Sequence, residues 1–313
     1  MERSNSEVLV MGGTEFVGMA VAKYLISQGY TVDIFTRGIK YVDYDGVREH
    51  IKGDRKSIDD LEKGLNDKAY DFVFDISAYT KEDVEKLISV LDRSRIKRYV
   101  FCSSGAVYIP SDEIISEDYS KGENPNWGAY GLNKKEKFPC TMFRPTYIYG
   151  EGNNLYREAY LFDRITKGLD IPIPEGNTTT QFIYINDVVK TFESALYCDS
   201  AIGQAYNITH TEIISWNYLV ETAMEAADGE TEIVKVSKSC MDKLNIKISR
   251  EFFPFRDVTY MLDIQKLKDD GLHSPTISLK EGLKKAFRWY CDKNHVNKDL
   301  RMIKKIELVL EHN

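Results

Sequence analysis

The apolar run Val8 to Met11 leads into Gly12-Gly13-Thr14 and then into Phe16 to Gln28, where Phe16, Val17, Ala20, Val21, Tyr24 and Leu25 recur on one helical face. This pattern predicts a buried strand, a tight turn and a helix. The alternation continues with strands at Thr31 to Thr36 and Glu49 to Lys52, a helix at Asp59 to Leu65, a strand at Asp71 to Ile76, a helix at Lys81 to Leu91 and a strand at Arg98 to Ser103. Strands alternating with helices predict a Rossmann-type, doubly wound parallel α/β sheet, with ligands at the carboxyl ends of its strands. Beyond Gly150 the alternation loosens into a helix at Leu155 to Lys167, a turn with Pro172, Pro174 and Gly176, a strand at Gln181 to Ile185 and a helix from Asp187. A strand at Ala205 to Ile208, helices at Trp216 to Ala227 and Leu279 to Lys293, and an amphipathic tail from Lys298 complete the reading. The expected organisation is a Rossmann domain over residues 1–150, its sheet completed by parts of 180–210, and a smaller substrate-binding lobe over 151–313.

The first turn sets the candidate chemistry. Backbone amides where a glycine turn enters a helix, aided by the helix dipole, hold a pyrophosphate. Gly12, Gly13, Thr14, Phe16, Val17 and Gly18 are the residues expected to do so here, for NAD(P). The spacing Gly-x-x-Gly-x-x-Gly is broken at Glu15. A carboxylate about 4 Å from a phosphate costs on the order of 4 kcal/mol at an effective dielectric near 20, so Glu15 either turns to solvent or impairs binding. After the second strand stands Arg37, where NAD-preferring folds place an acid for the ribose 2′-hydroxyl. Arg37 suits a 2′-phosphate, so NADP is favoured over NAD, and Asp54 is the candidate at the adenine end.

Composition narrows the field. The 313 residues carry a net charge of −7, which gives no global attraction for nucleic acid or an anionic membrane. Five separated cysteines without Cys-x-x-Cys spacing suit reduced thiols, the five histidines lack metal-ligand spacing, and no apolar run is long enough for a membrane helix. A cytoplasmic protein without a metal is expected.

Tyr130 and Lys134 are spaced Tyr-x-x-x-Lys, which sets an ammonium one helical turn from a phenol and favours the phenolate as a base. Together with Val8 to Thr14, these residues, Ser103-Ser104-Gly105-Ala106-Val107-Tyr108, Phe143 to Gly150, Phe182 to Asp187 and the tail Gly271-Leu272, Pro275, Ser278-Leu279, Glu281-Gly282-Leu283 resemble the extended short-chain dehydrogenase/reductase family of NAD(P)-dependent nucleotide-sugar epimerases and dehydratases. The resemblance covers nearly the whole chain. Within it the chain is most similar to an atypical branch that includes chloroplast stem-loop-binding proteins, some of whose members are described as binding or cleaving RNA.

The resemblance implies a catalytic triad of Ser104, Tyr130 and Lys134, with Lys134 also on the nicotinamide ribose, and substrate contacts from Asn153, Gln181 and Tyr184. Dehydratases of the family carry Asp-Glu where this chain has Gly105-Ala106, so 4,6-dehydratase activity is disfavoured and epimerase or keto-reductase chemistry on a nucleotide sugar remains. An RNA-binding or endoribonuclease-like protein on the same scaffold and a cofactor-holding sensor without turnover are the alternatives. Only the nine residues 135–143 separate Lys134 from Arg144. A helix from Ala129 to Lys137 would be about 13 Å long, implying a tightened crossover or a missing segment. That helix commonly forms the dimer interface in the family, so a homodimer is a further expectation.

Overall fold

A computed structural model describes residues 6–122, 139–247, 254–292 and 298–313. Its centre is a seven-stranded sheet of β1 (Glu7–Met11), β2 (Thr31–Thr36), β3 (Val47–Lys52), β4 (Phe72–Asp75), β5 (Arg98–Cys102), β6 (Cys140–Pro145) and, after an excursion, β11 (Ala205–Ile208). The spatial order is β11-β6-β5-β4-β1-β2-β3, and every neighbouring pair is parallel.

Such a sheet must be apolar on both faces, and the residue alternation supplies this. Val8, Val10, Ile34 and Phe74 face α1 (Phe16–Ser27) and its neighbour α5 (Ile185–Ser194), while Leu9, Met11, Phe35, Val73 and Tyr99 face α2 (Ile58–Leu65) and α3 (Lys81–Val90). Helix starts follow local chemistry: Ser57 caps α2, and Thr80 with Asp83 forms a reciprocal capping box on α3. A third apolar cluster joins α4 (Glu158–Ile165), α6 (Trp216–Ala227), α9 (Leu279–Asp292) and the terminal α10 (Leu300–His312). Between these helices run short strands, β7 (Tyr147–Tyr149) beside β10 (Phe182–Tyr184), β8 (Ile171–Pro174) beside β13 (Ile233–Val236), and β9 (Thr179–Thr180) beside β12 (Ile214–Ser215), with α7 (Lys238–Lys243) and α8 (Gln265–Asp269).

Of the boundaries that differ from the sequence expectation, two have a clear local cause. The helix expected from Leu155 starts at Glu158, because Gly150 and Gly152 at positive φ and the Asn153 side chain, which accepts from Leu155 N at 3.0 Å, shape a turn first. The strand expected over Gln181 to Ile185 is shorter, because extended Tyr184 serves as the N-cap of a helix that begins at Ile185. Among the described residues no helix is long and apolar enough to cross a membrane.

Candidate active site

All seven parallel strands end on one edge, which gathers sequence-distant residues. Gly12 follows β1, Arg37 follows β2, Asp54 lies just past β3, Ser77 past β4, Ser104 past β5 and Thr146 past β6. Open α/β sheets bind their ligands at this edge.

The glycine turn is sterically committed. Gly12 takes φ +95° while donating to Phe35 O at 2.9 Å. A Cβ at Gly13 would stand 2.6 Å from Ile34, and one at Gly18 would stand 1.9 Å from the Gly12 carbonyl oxygen. Helix α1 therefore lies directly on the turn. Phe16 enters the helix at φ +29°, a conformation an aromatic residue holds only under strain. Among the described residues no side chain caps the α1 N-terminus, whose first amides remain available for an anion. Thr14 and Val17 flank this entrance half-buried. The site thus fits a pyrophosphate: backbone approach is close, and the donors are uncommitted.

Glu15 has a partner that sequence reading missed. Its carboxylate pairs with Lys40 and also accepts from Asn154 Nδ2 at 3.4 Å. The Tyr44 hydroxyl donates to Gly13 O at 2.7 Å. The loop after β2 therefore folds back over the turn and supplies a cation against the misplaced acid. Arg37 is exposed and forms no ion pair with the described residues. Asp54 is also exposed, and its carboxylate accepts from Lys56 N at 2.9 Å while its own amide donates to Asp60 at 2.7 Å. Next to it Arg55 reaches inward to buried Asp75, at 2.6 and 3.1 Å, and to Ser77 Oγ at 3.0 Å. A Cβ on Gly12 would stand 3.1 Å from Ser77, so this buried pair sits behind the turn.

Ser104 is the N-cap of a single 3-10 turn, Gly105–Val107, and its Oγ accepts from Ala106 N at 3.1 Å. Tyr130 and Lys134 lie outside the described residues. Beside Ser104, the arriving segment 254–263 docks through Leu262 N, which donates to Gln181 Oε1 at 2.7 Å, and through Ile115 N, which donates to Met261 O at 2.9 Å.

The expected substrate residues are deeply set. Gln181 makes the docking bond just described. Asn153 donates to Glu158 at 2.6 Å, and the Tyr184 hydroxyl donates to Glu151. Burial pushes the Glu158 carboxyl up, against bonds from Gly150 N and Asn153 and the nearby Arg157. Two arginines that the sequence reading did not single out meet near Tyr147. Arg157 lies 5.1 Å over the Tyr147 ring and donates to Ile148 O at 2.9 Å. Burial holds its charged form below the ordinary guanidinium range, and Arg256 adds to that effect by repulsion. The Tyr147 hydroxyl is buried and makes no hydrogen bond among the described residues. A buried phenol flanked by two cations is a place that attracts an anion. Neither arginine carried a motif, since Arg157 and Arg256 are brought together only by the tertiary fold.

This architecture has known counterparts. A protein of Arabidopsis thaliana, the chloroplast stem-loop binding protein of 41 kDa b, is 29% identical over 304 residues, spanning 91% of this chain and 79% of its own length. UDP-glucose 4-epimerase of Thermotoga maritima, solved with UDP-glucose, superimposes with TM-score 0.73 at 20% identity, covering 91% of this chain and 99% of that one. UDP-glucuronic acid 4-epimerase of Bacillus cereus, solved with NAD, gives 0.69 at 18% identity over 91% and 99%. Residues 8–209 match the model of the NAD dependent epimerase/dehydratase family. With that match across most of the chain and the glycine turn at its start, the protein belongs to the NAD dependent epimerase/dehydratase family.

Proposed function

We propose that this protein is an NAD(P)-dependent epimerase or keto-reductase acting at a hydroxyl-bearing carbon of a nucleotide sugar. The observation that carries the reading is the shared sheet edge: an uncapped, glycine-built anion turn after β1 and the Ser104 hydroxyl after β5. Gly12, Gly13, Thr14, Phe16, Val17 and Gly18 hold the pyrophosphate, Asp54 faces the adenine end, and Arg37 gives the preference for NADP over NAD. Lys40 neutralises Glu15, so the acid does not oppose the phosphates.

When bound, the nicotinamide supplies a reversible hydride acceptor. Tyr130 takes the proton of the substrate hydroxyl, Lys134 favours the phenolate and holds the ribose, and Ser104 hydrogen-bonds the reacting oxygen. Arg157 and Arg256 attract the diphosphate of the nucleotide, with Asn153, Gln181 and Tyr184 in the surrounding wall. Gly105 and Ala106 offer no carboxylate for dehydration, and a side chain at Gly105 would collide with the Tyr260 hydroxyl at 2.0 Å. Tyr130→Phe is expected to lower turnover of UDP-hexoses, followed by NMR of the sugar anomeric proton, at least hundredfold. Unchanged turnover would sink the reading.

The Arabidopsis relative's name motivates a second reading, stem-loop binding on the same scaffold. A net charge of −7 weighs against it. Binding of a hairpin RNA that weakens steeply with salt, without turnover of any nucleotide sugar, would favour it.

A further inference from the structure

Strand β4 ends at Asp75, and the carboxylate of that residue shapes the chain that follows. Its Oδ1 accepts from Ser77 N at 3.3 Å and from Ala78 N at 3.1 Å, an Asx turn that sets Ser77 on the sheet edge. Ile76 N donates to Met11 O at 3.2 Å, which ties this edge to the end of β1. Ser77 thus stands against the glycine turn: a Cβ on Gly12 would lie 3.1 Å from Ser77 Cβ and 3.5 Å from Ser77 Oγ. The residue is half-buried, so its hydroxyl lies within reach of a ligand at this edge.

The Ser77 hydroxyl is held from behind. Arg55, its side chain 11% exposed, pairs with the fully buried Asp75. Nη1 donates to Asp75 Oδ1 at 2.6 Å and to Ser77 Oγ at 3.0 Å, while Nη2 donates to Asp75 Oδ2 at 3.1 Å and to Asp83 O at 2.9 Å. The Tyr99 hydroxyl donates to Asp75 Oδ2 at 2.5 Å and closes the far side of the carboxylate. A guanidinium has no lone pair to accept with, so in the Arg55–Ser77 bond the serine oxygen is the acceptor. The serine keeps its own proton, which among the described residues has no acceptor. A hydroxyl that accepts from a cation is polarised to donate more strongly to an anion. Asp75 does not oppose such an anion, because its charge is matched by Arg55.

We propose that Ser77 is a further dinucleotide contact, its hydroxyl donating to a pyrophosphate oxygen carried by the glycine turn, and that Arg55 is the positioning residue that aims it. This rests on the reading of that turn as the NAD(P) cradle. The adenine-end loop after β3 and the end of β4 are then joined by one buried ion pair, which fixes the serine before the dinucleotide arrives.

The test is calorimetric titration with NADPH of Ser77→Ala, Arg55→Lys and the double variant in the full chain, with thermal unfolding of each variant without ligand. Ser77→Ala is expected to weaken NADPH about tenfold, the loss of one hydrogen bond to a charged group. Arg55→Lys keeps a charge beside Asp75 but loses the fork that reaches Ser77. It should weaken NADPH about fivefold in the wild-type background and less than twofold in Ser77→Ala, and the unfolding effects should be less than additive. Ser77→Ala binding NADPH within twofold of wild type would overturn the proposal, whatever its melting temperature, and this comparison stands alone should Arg55→Lys not fold. Equal losses from Arg55→Lys in both backgrounds would overturn the positioning role. Wild-type protein that binds no NADP⁺, NADPH, NAD⁺ or NADH would overturn the cofactor reading and this contact with it, whereas equal binding by wild type and Ser77→Ala removes the contact alone.

Discussion

Gly18→Ala adds one methyl group at the point where α1 touches the phosphate turn. The new carbon would lie 1.9 Å from Gly12 O, 2.7 Å from Gly12 C and 3.3 Å from Gly13 N. A comfortable carbon–oxygen contact is about 3.3 Å, so the helix or the turn must move by roughly 1.4 Å. All three opposing atoms are backbone, so no rotamer change relieves the clash. Overpacking of this kind costs about 1–3 kcal/mol of stability. The displacement also draws the α1 amides away from the pyrophosphate, and losing two charge-assisted hydrogen bonds of about 1.5 kcal/mol each lowers affinity roughly hundredfold or more. Calorimetric titration with NADPH and a thermal melt measure both. Gly64→Ala is the control: its Cβ would meet the Ile51 side chain at 2.6 Å, on the opposite face of the sheet, so it should melt lower and bind normally. Gly18→Ala binding NADPH within threefold of wild type would refute the close-packed turn as the cofactor cradle.

Lys40→Ala should change stability by less than about 1 kcal/mol, since the Glu15 pair is exposed. It should nonetheless weaken NADPH several-fold, and adding Glu15→Gln should restore the affinity; failure of that rescue in calorimetry would show that Glu15 does not face the phosphates. Arg37→Ser is expected to reduce NADPH affinity about tenfold while leaving NADH unchanged, and equal losses for both would contradict a 2′-phosphate contact. Asp187 is buried, and burial alone would raise its carboxyl, but bonds from His273 Nε2 at 3.1 Å, Ile277 N at 2.8 Å and Thr276 N at 2.9 Å hold it below the ordinary range. A lowered folded pKa means its stabilisation is present above the unfolded value of about 3.9 and is lost as pH falls through the lower folded value. Asp187→Asn should therefore melt below wild type at pH 7, with the gap closing towards pH 3; a gap independent of pH would contradict this.

The sheet was legible because its strands are apolar on both faces and its helices keep their period. Strands β2 and β11 and helix α6 match the residues read from the sequence, and β1, β3, β4 and β5 differ only at their ends. The boundaries that moved did so for local reasons that periodicity does not register. At α4 a glycine turn and an asparagine-closed turn delay the helix, and at Ile185 the chain passes from strand to helix without a linker. The glycines were legible as a turn, yet their necessity lies in distances such as 1.9 Å from Gly18 to Gly12 O, which only the fold supplies. Lys40, Arg157 and Arg256 carried no sequence signal because each gains its meaning from a partner that no motif sets beside it, Glu15 or the Tyr147 ring. A lysine in a loop becomes informative only when its partner is seen.

The most direct test of the account is calorimetric titration of the purified protein with NADP⁺, NADPH, NAD⁺ and NADH at moderate salt. Micromolar binding with preference for the phosphorylated pair is the expected result, since the glycine turn is free to hold a pyrophosphate and Glu15 is neutralised. Absence of binding to all four would contradict the dinucleotide site and, with it, the proposed chemistry.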